Sequence, residues 1–195
     1  MEKTCSYIAF GDSYTIGEGV PIYDSFPYQT VQILRKSGHS FYGPEIVAKT
    51  GWTTDELLTG IEQITLEKHY HFATLLIGVN DQYRGRSVDD YTLKFKQVLR
   101  KAWQVAPKMI VLSIPDWGAT PFAADRDRKK ITEEIDGFNN VNREIATRYG
   151  AYYIDITPST RNPNDTLLAA DKLHPSGKEY YKWAQEVATI INKLL

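Results

Sequence analysis

The stretch FATLLIGV, from Phe72 to Val79, decides how this chain folds. Apart from Thr74 and Gly78 it is entirely apolar, with no alternation of polar and apolar positions. A strand with one wet face alternates with a period of two residues, whereas a strand covered on both faces reads as a continuous apolar run. MIVLSI, Met109 to Ile114, has the same character and is closed by Pro115. Between the two, Val88–Val105 repeats Tyr91, Phe95, Val98, Leu99 and Ala102 on one side at helical spacing.

The same alternation continues in both directions. Upstream come a strand over Cys5–Phe10, a helix over Phe26–Lys36 ended by Gly38, and a short strand over Glu45–Lys49. A helix over Asp55–Lys68 then carries Leu57, Leu58, Ile61 and Ile64 on one face. Downstream come a long helix over Arg126–Tyr149, a strand over Ala151–Ile156 and a final helix over Ser176–Leu194. In the long helix Ile131, Ile135, Phe138, Val141 and Ile145 point inward and Gly150 ends it. Ser176 stands at the N-cap position of the last helix. Five strands alternating with helices imply an α/β fold, a parallel sheet with helices on both faces.

The bulk numbers narrow the function. A chain of 195 residues suits one domain with its own core. A formal net charge of −1 offers no broad basic field for nucleic acid or an anionic membrane. The one cysteine, Cys5, falls inside the first strand, which excludes an intrachain disulfide. No apolar run reaches the ~18 residues of a membrane span, and the N-terminal run is too short for a signal peptide. The expectation is a cytoplasmic protein with no membrane span.

Ligands of open α/β sheets bind outside the carboxyl ends of the strands, so the residues there belong together. They are Gly11-Asp12-Ser13, Thr50-Gly51-Trp52, Gly78-Val79-Asn80-Asp81, Asp116-Trp117-Gly118 and the loop holding Asp171 and His174. A serine nucleophile needs a base, a group orienting that base, and donors for an oxyanion. Of the four histidines, His39 follows the first helix, and His69 and His71 precede the third strand at the wrong end of the sheet. Only His174 lies on the side of Ser13, and Asp171 precedes it in Asp171-Lys172-Leu173-His174, close enough to hold the imidazole. The Ser13 N–H, the Gly51 N–H and the Asn80 side-chain amide are candidate oxyanion donors. Asp12 and Asp81 read as structural turn residues.

Gly11-Asp12-Ser13, Gly51, Gly78-Val79-Asn80-Asp81 and Asp171-Lys172-Leu173-His174, in this order, resemble the four blocks of the SGNH, or GDSL-type, hydrolases. The resemblance spans Gly11 to His174. It implies a flavodoxin-like three-layer α/β/α sandwich with a five-stranded parallel sheet, and esterase or lipase-like chemistry without metal or cofactor. It implies Ser13 as nucleophile, His174 as base and Asp171 as its orienter. It implies an oxyanion hole of Ser13, Gly51 and Asn80. Gly51 is placed by position, with Gly43 as the competitor, and Tyr14 stands where the family commonly has leucine.

Taken alone, Ser13 is an ordinary helix cap; the ordered set turns it into a nucleophile. Tyr14, Trp52, Tyr83, Trp117 and Phe122 follow strand ends and are candidate walls of a substrate cleft, suited to an acyl chain or a sugar face. Arg84 and Arg86 read as surface arginines, with an anionic substrate group as the alternative. His69 and His71 read as a solvated pair, since no cysteine or carboxylate cluster completes a metal site. The G-x-S-x-G elbow, a complete dinucleotide fingerprint and a phosphate loop are all missing. The expected substrate is a small ester, a short acyl or acetyl ester or an O-acetylated sugar. A lysophospholipid or thioester of the same family, and a non-catalytic binding module, are the alternatives.

Overall fold

The computed structural model describes residues 4–67, 69–162, 164 and 166–195. Its strands are β1 (Tyr7–Gly11), β2 (Glu45–Ala48), β3 (Phe72–Leu76), β4 (Met109–Leu112) and β5 (Tyr152–Ile154). They form one sheet in the order β2-β1-β3-β4-β5. All four pairings are parallel. Every residue of β1, β3 and β4 is buried, as continuous apolar runs require. β2 and β5 lie at the two edges, where part of each strand reaches solvent.

The longer helices are α2 (Phe26–Lys36), α3 (Thr54–Gln63), α5 (Val88–Trp103), α6 (Arg128–Tyr149) and α8 (Gly177–Leu194). α2 packs on α8, while α3 packs on α5 and α5 on α6. The sheet is flanked by these helices, an α/β/α sandwich. Tyr91, Phe95, Val98, Leu99 and Ala102 of α5 are all buried, and so are Ile131, Ile135, Phe138 and Ile145 of α6.

Three details depart from the sequence reading. α3 ends at Gln63, and Ile64 is 44% exposed instead of continuing the apolar face. The backbone turns extended at Ile64 (φ −111°, ψ 152°), so its side chain leaves the face formed by Leu57 and Ile61. The expected end at Lys68 lies outside the described residues. Ser176 occupies the N-cap position of α8, but its hydroxyl donates to the Thr166 carbonyl at 2.8 Å instead of accepting from the helix. Three short helices, α1 (Ser13–Ile16), α4 (Val79–Tyr83) and α7 (Thr157–Thr160), are too brief to leave a periodic pattern.

The register brings the candidate residues to one edge. Gly11 of β1 pairs with Ala48 of β2 and Leu76 of β3, so these strands end level. Ser13, Gly51 and Asn80 follow within a few residues of those ends. At Gly78 the chain bends with φ +132°, and a Cβ there would stand 2.5 Å from the Tyr91 hydroxyl. Only glycine meets both demands, the positive φ and the close approach, and the bend starts α4.

Candidate active site

α1 begins directly after β1. Asp12 is its N-cap, and its Oδ1 accepts the Tyr14 N–H at 3.0 Å. Gly17, in the left-handed region, ends the helix after one turn. Ser13 thereby occupies the first helical position, whose N–H has no partner within a helix.

Ser13 Oγ lies 3.0 Å from His174 Nε2, and His174 Nδ1 lies 2.6 Å from Asp171 Oδ2. The loop carrying Asp171 and His174 is built to hold this line. Its base is pinned by the Leu168–Pro175 bridge and by the Ala169 N–H donating to the His174 carbonyl at 2.8 Å. Asp171 Oδ1 accepts the backbone N–H groups of Leu173 and His174, both at 3.0 Å. One carboxylate oxygen therefore sets the turn and the other faces the imidazole. Partial burial raises the Asp171 pKa, but the hydrogen bonds from His174 and the two N–H groups outweigh it and hold the carboxyl below its ordinary range. Ser13 is 4% and His174 8% exposed, so the pair sits at the floor of a cleft rather than on open surface.

The other wall comes from the loop after β2 and from α4. Gly51 has φ +81°. Arg84 Nη2 donates to the Gly51 carbonyl at 2.7 Å, and Asn80 Nδ2 donates to the Trp52 carbonyl at 3.0 Å. Asp81, buried beneath, accepts the Thr54 N–H at 2.9 Å and the Thr54 hydroxyl at 2.7 Å. Arg84, Asn80 and Asp81 thus tie Gly51, Trp52 and Thr54 to α4 and its C-cap. The second N–H of Asn80 reaches Asp12 Oδ2 over 3.4 Å, a long bond. Arg84 and Arg86 are engaged with protein carboxylates: Arg84 with Glu56, and Arg86 with Asp55, Asp81 and Asp90. The hold of Arg84 on Gly51 left no trace in the sequence, because nothing in it shows which carbonyl a long side chain will reach.

The cleft has a volume of about 230 Å³. Ser13, Tyr14, Gly51, Asn80, Tyr83, Trp117 and His174 all line it, together with Phe122 and Leu173. Trp117 is pinned by its indole N–H to Gln82 Oε1 at 2.7 Å. Tyr83 and Phe122 flank it edge-on, with ring centroids 5.3 and 6.1 Å away. Trp52 is the exception among the expected wall residues. Its ring packs against Gly60 of α3, over a groove also lined by Lys49, Asp55 and Glu56. The bare glycine surface takes the indole, and only the Trp52 carbonyl serves the cleft side. Among the described residues no group of three or more His, Cys, Asp and Glu side chains is placed to hold a metal ion. His71 Nδ1 instead lies 3.0 Å from the Ser6 hydroxyl, away from the cleft. No helix among the described residues is long and apolar enough to cross a membrane.

Two buried carboxyls lie under the cleft. Burial pushes the Asp12 pKa up to about 8, aided by the nearby Asp81 charge and opposed by the Tyr14 N–H. Burial raises that of Asp81 to about 6, opposed by the Thr54 bonds and Arg86. An unfolded aspartate titrates at about 3.9. Between that value and about 8, folded Asp12 keeps a proton that the unfolded chain has lost. Stability therefore falls as pH rises through this window, by up to about 1.4 kcal/mol per pH unit for one group. Above pH ~6 the slope comes from Asp12 more than from Asp81. Asp12→Asn retains an oxygen for the Tyr14 N–H and removes the titration. Urea unfolding at pH 6 and pH 8 should show a loss of stability in the wild type and a much smaller one in the variant. Equal losses in the two proteins would exclude a protonated Asp12.

The geometry has parallels among known proteins. No curated protein matches the sequence significantly. The structure is similar to the lipase/acylhydrolase from Enterococcus faecalis, at 19% identity and a TM-score of 0.77, over 98% of this chain and 97% of that one. It is similar to TesA, at 16% identity and a TM-score of 0.77, over 97% and 99%. It is also similar to Axe2, an acetylxylan esterase from Geobacillus stearothermophilus, at 15% identity and a TM-score of 0.75, over 96% and 94%. At such identities these likenesses establish the fold. The sequence model of the GDSL-like lipase/acylhydrolase family matches residues 9–181, from β1 through the Asp171–His174 loop and into α8. The chain belongs to the GDSL-like lipase/acylhydrolase family.

Proposed function

We propose that this protein is a serine hydrolase that cleaves carboxylic esters of small substrates through an acyl-enzyme. The observation that carries the reading is the hydrogen-bonded line from Ser13 through His174 to Asp171 at the floor of the cleft. His174 Nε2 takes the Ser13 proton as Oγ attacks the ester carbonyl. The carbonyl oxygen, now negative, is received by the Ser13 and Gly51 N–H groups and by the Asn80 amide. The Asn80 amide can give up its long bond to Asp12 at little cost in order to donate to the oxyanion. In other acyl-transfer enzymes one such donor is worth about 2.7–4 kcal/mol. His174 then protonates the departing alcohol, and the acyl group stays on Ser13. Water, deprotonated by His174, attacks the acyl-enzyme and releases the acid. Asp171 remains ionised throughout, which its lowered pKa supports, and stabilises the imidazolium.

The size of the cleft supports a small ester, since drug-sized ligands occupy ~300–1,000 Å³. The aromatic rings of Tyr83, Trp117 and Phe122 suit a flat or ring-shaped alcohol such as a sugar, and an acetylxylan esterase shares this fold. A fluorophosphonate probe tests the chemistry directly. It should form one covalent adduct, located at Ser13 by peptide mass spectrometry. Folded protein that takes up no label would instead favour a binding module that has kept the cleft and lost the reaction.

A further inference from the structure

Tyr14 separates two cavities. On one side lies the cleft of about 230 Å³ over Ser13 and His174. On the other lies a second cavity of about 20 Å³, lined by Pro115, Thr160, Leu167, Leu168 and Pro175 among others. Tyr14, Trp117 and Leu173 line both, so these three side chains are the wall between them. The space behind the wall has room for about one water molecule. The wall is firmly set. The Tyr14 backbone N–H is tied to Asp12, and its ring packs on the His174 ring with centroids 4.9 Å apart. Tyr14 is 3% and Trp117 4% exposed, and the Trp117 indole is held by Gln82.

An ester bound at Ser13 has two ends. At the mouth of the cleft Tyr83 and Phe122 are about half exposed, so a bulky alcohol has its way out there. The acyl end is left with the inner side, which stops at the buried wall. We infer that Tyr14 is the specificity-determining residue for acyl length: its ring closes the inner end of the cleft and restricts the enzyme to short acyl groups. The cavity behind it is an extension that the ring shuts off. This rests on the esterase reading above and deepens it.

The test compares kcat/KM for p-nitrophenyl acetate and p-nitrophenyl octanoate within each protein, so that the ratio does not depend on the fraction folded. The wild type should prefer acetate. Tyr14→Ala should shift the ratio toward octanoate by about tenfold or more, the lower end of what a methylene is worth in an apolar pocket. Adding Leu168→Phe to Tyr14→Ala fills the space behind the wall and should reverse most of that shift. A wild type that prefers octanoate, or a ratio unmoved by Tyr14→Ala, overturns the assignment. Calorimetric binding of free octanoate to the same three proteins reads the wall without any turnover. If no protein cleaves either ester, the esterase reading fails. Octanoate binding gained in Tyr14→Ala and lost with Leu168→Phe would still uphold the wall, and no gain would overturn it.

Discussion

Ser13→Ala should lower kcat/KM for p-nitrophenyl acetate by about 10⁴- to 10⁶-fold, the range seen when a serine nucleophile is removed elsewhere. The His174 Nε2 that faces Ser13 Oγ at 3.0 Å would then face a methyl group and could at best activate water. On the proposed mechanism some rate over water should persist, through the Gly51 N–H and the Asn80 amide acting on a bound carbonyl. The structural cost should be slight. Ser13 is the first residue of α1 and is not its cap, so Asp12 still accepts the Tyr14 N–H. Alanine suits a helix, and the loss is one hydrogen bond, worth about 1 kcal/mol. Thermal unfolding should therefore be nearly unchanged while turnover falls to that residual rate and fluorophosphonate labelling disappears. Turnover at the wild-type rate would remove Ser13 from the mechanism.

Asp171→Asn should cost about 10²- to 10⁴-fold in kcat and move KM much less. The reason is a division of labour within one carboxylate. Oδ1 holds the turn through the Leu173 and His174 N–H groups, and an asparagine oxygen can do the same. Oδ2, 2.6 Å from His174 Nδ1, would be replaced by an NH₂ group, which donates where the carboxylate accepts. The imidazole must then accept at Nδ1 and carry its proton on Nε2, pointing at Ser13, where it cannot receive another. The imidazolium of the transition state also loses its counter-charge. The Asp171 side chain is 39% exposed, so water shares in that stabilisation and favours the lower part of the range. Asp171→Ala separates the two roles, because it removes the turn bonds as well. It should lower the melting temperature further than Asp171→Asn does. Equal kcat in Asp171→Asn and the wild type would show that the loop alone orients His174.

Much of this was legible in the chain itself. FATLLIGV and MIVLSI are apolar because β3 and β4 are central strands, and no other placement buries both of their faces. Parallel strands with helical crossovers put all their carboxyl ends on one edge, so Ser13, Gly51, Asn80 and His174 could be grouped before any distance was known. That Asp12 bonds within its own turn also follows from local chemistry, whereas its place as the cap of α1, one residue before Ser13, and the hold of Asp81 on distant Thr54 do not.

What stayed hidden depends on where long or large side chains go. Trp52 follows a strand end as Trp117 does, yet one ring settles on Gly60 and the other on the cleft. Ile64 continues a helical pattern on paper, but the backbone leaves the helix first. Arg84 reaches the Gly51 carbonyl through the accident of α4 lying beside it.

The sequence by itself determined the strand order's raw material, the single edge at which function gathers, and the residue types gathered there, because burial periodicity and turn chemistry are written locally. Only the tertiary structure decided that His174 points its Nε2 at Ser13 and that Asp171 splits its two oxygens between turn and imidazole. It also decided that Tyr14 stands as a wall between two cavities. Those are distances between residues far apart in the chain, set by how helices pack on the sheet, and no local pattern encodes them.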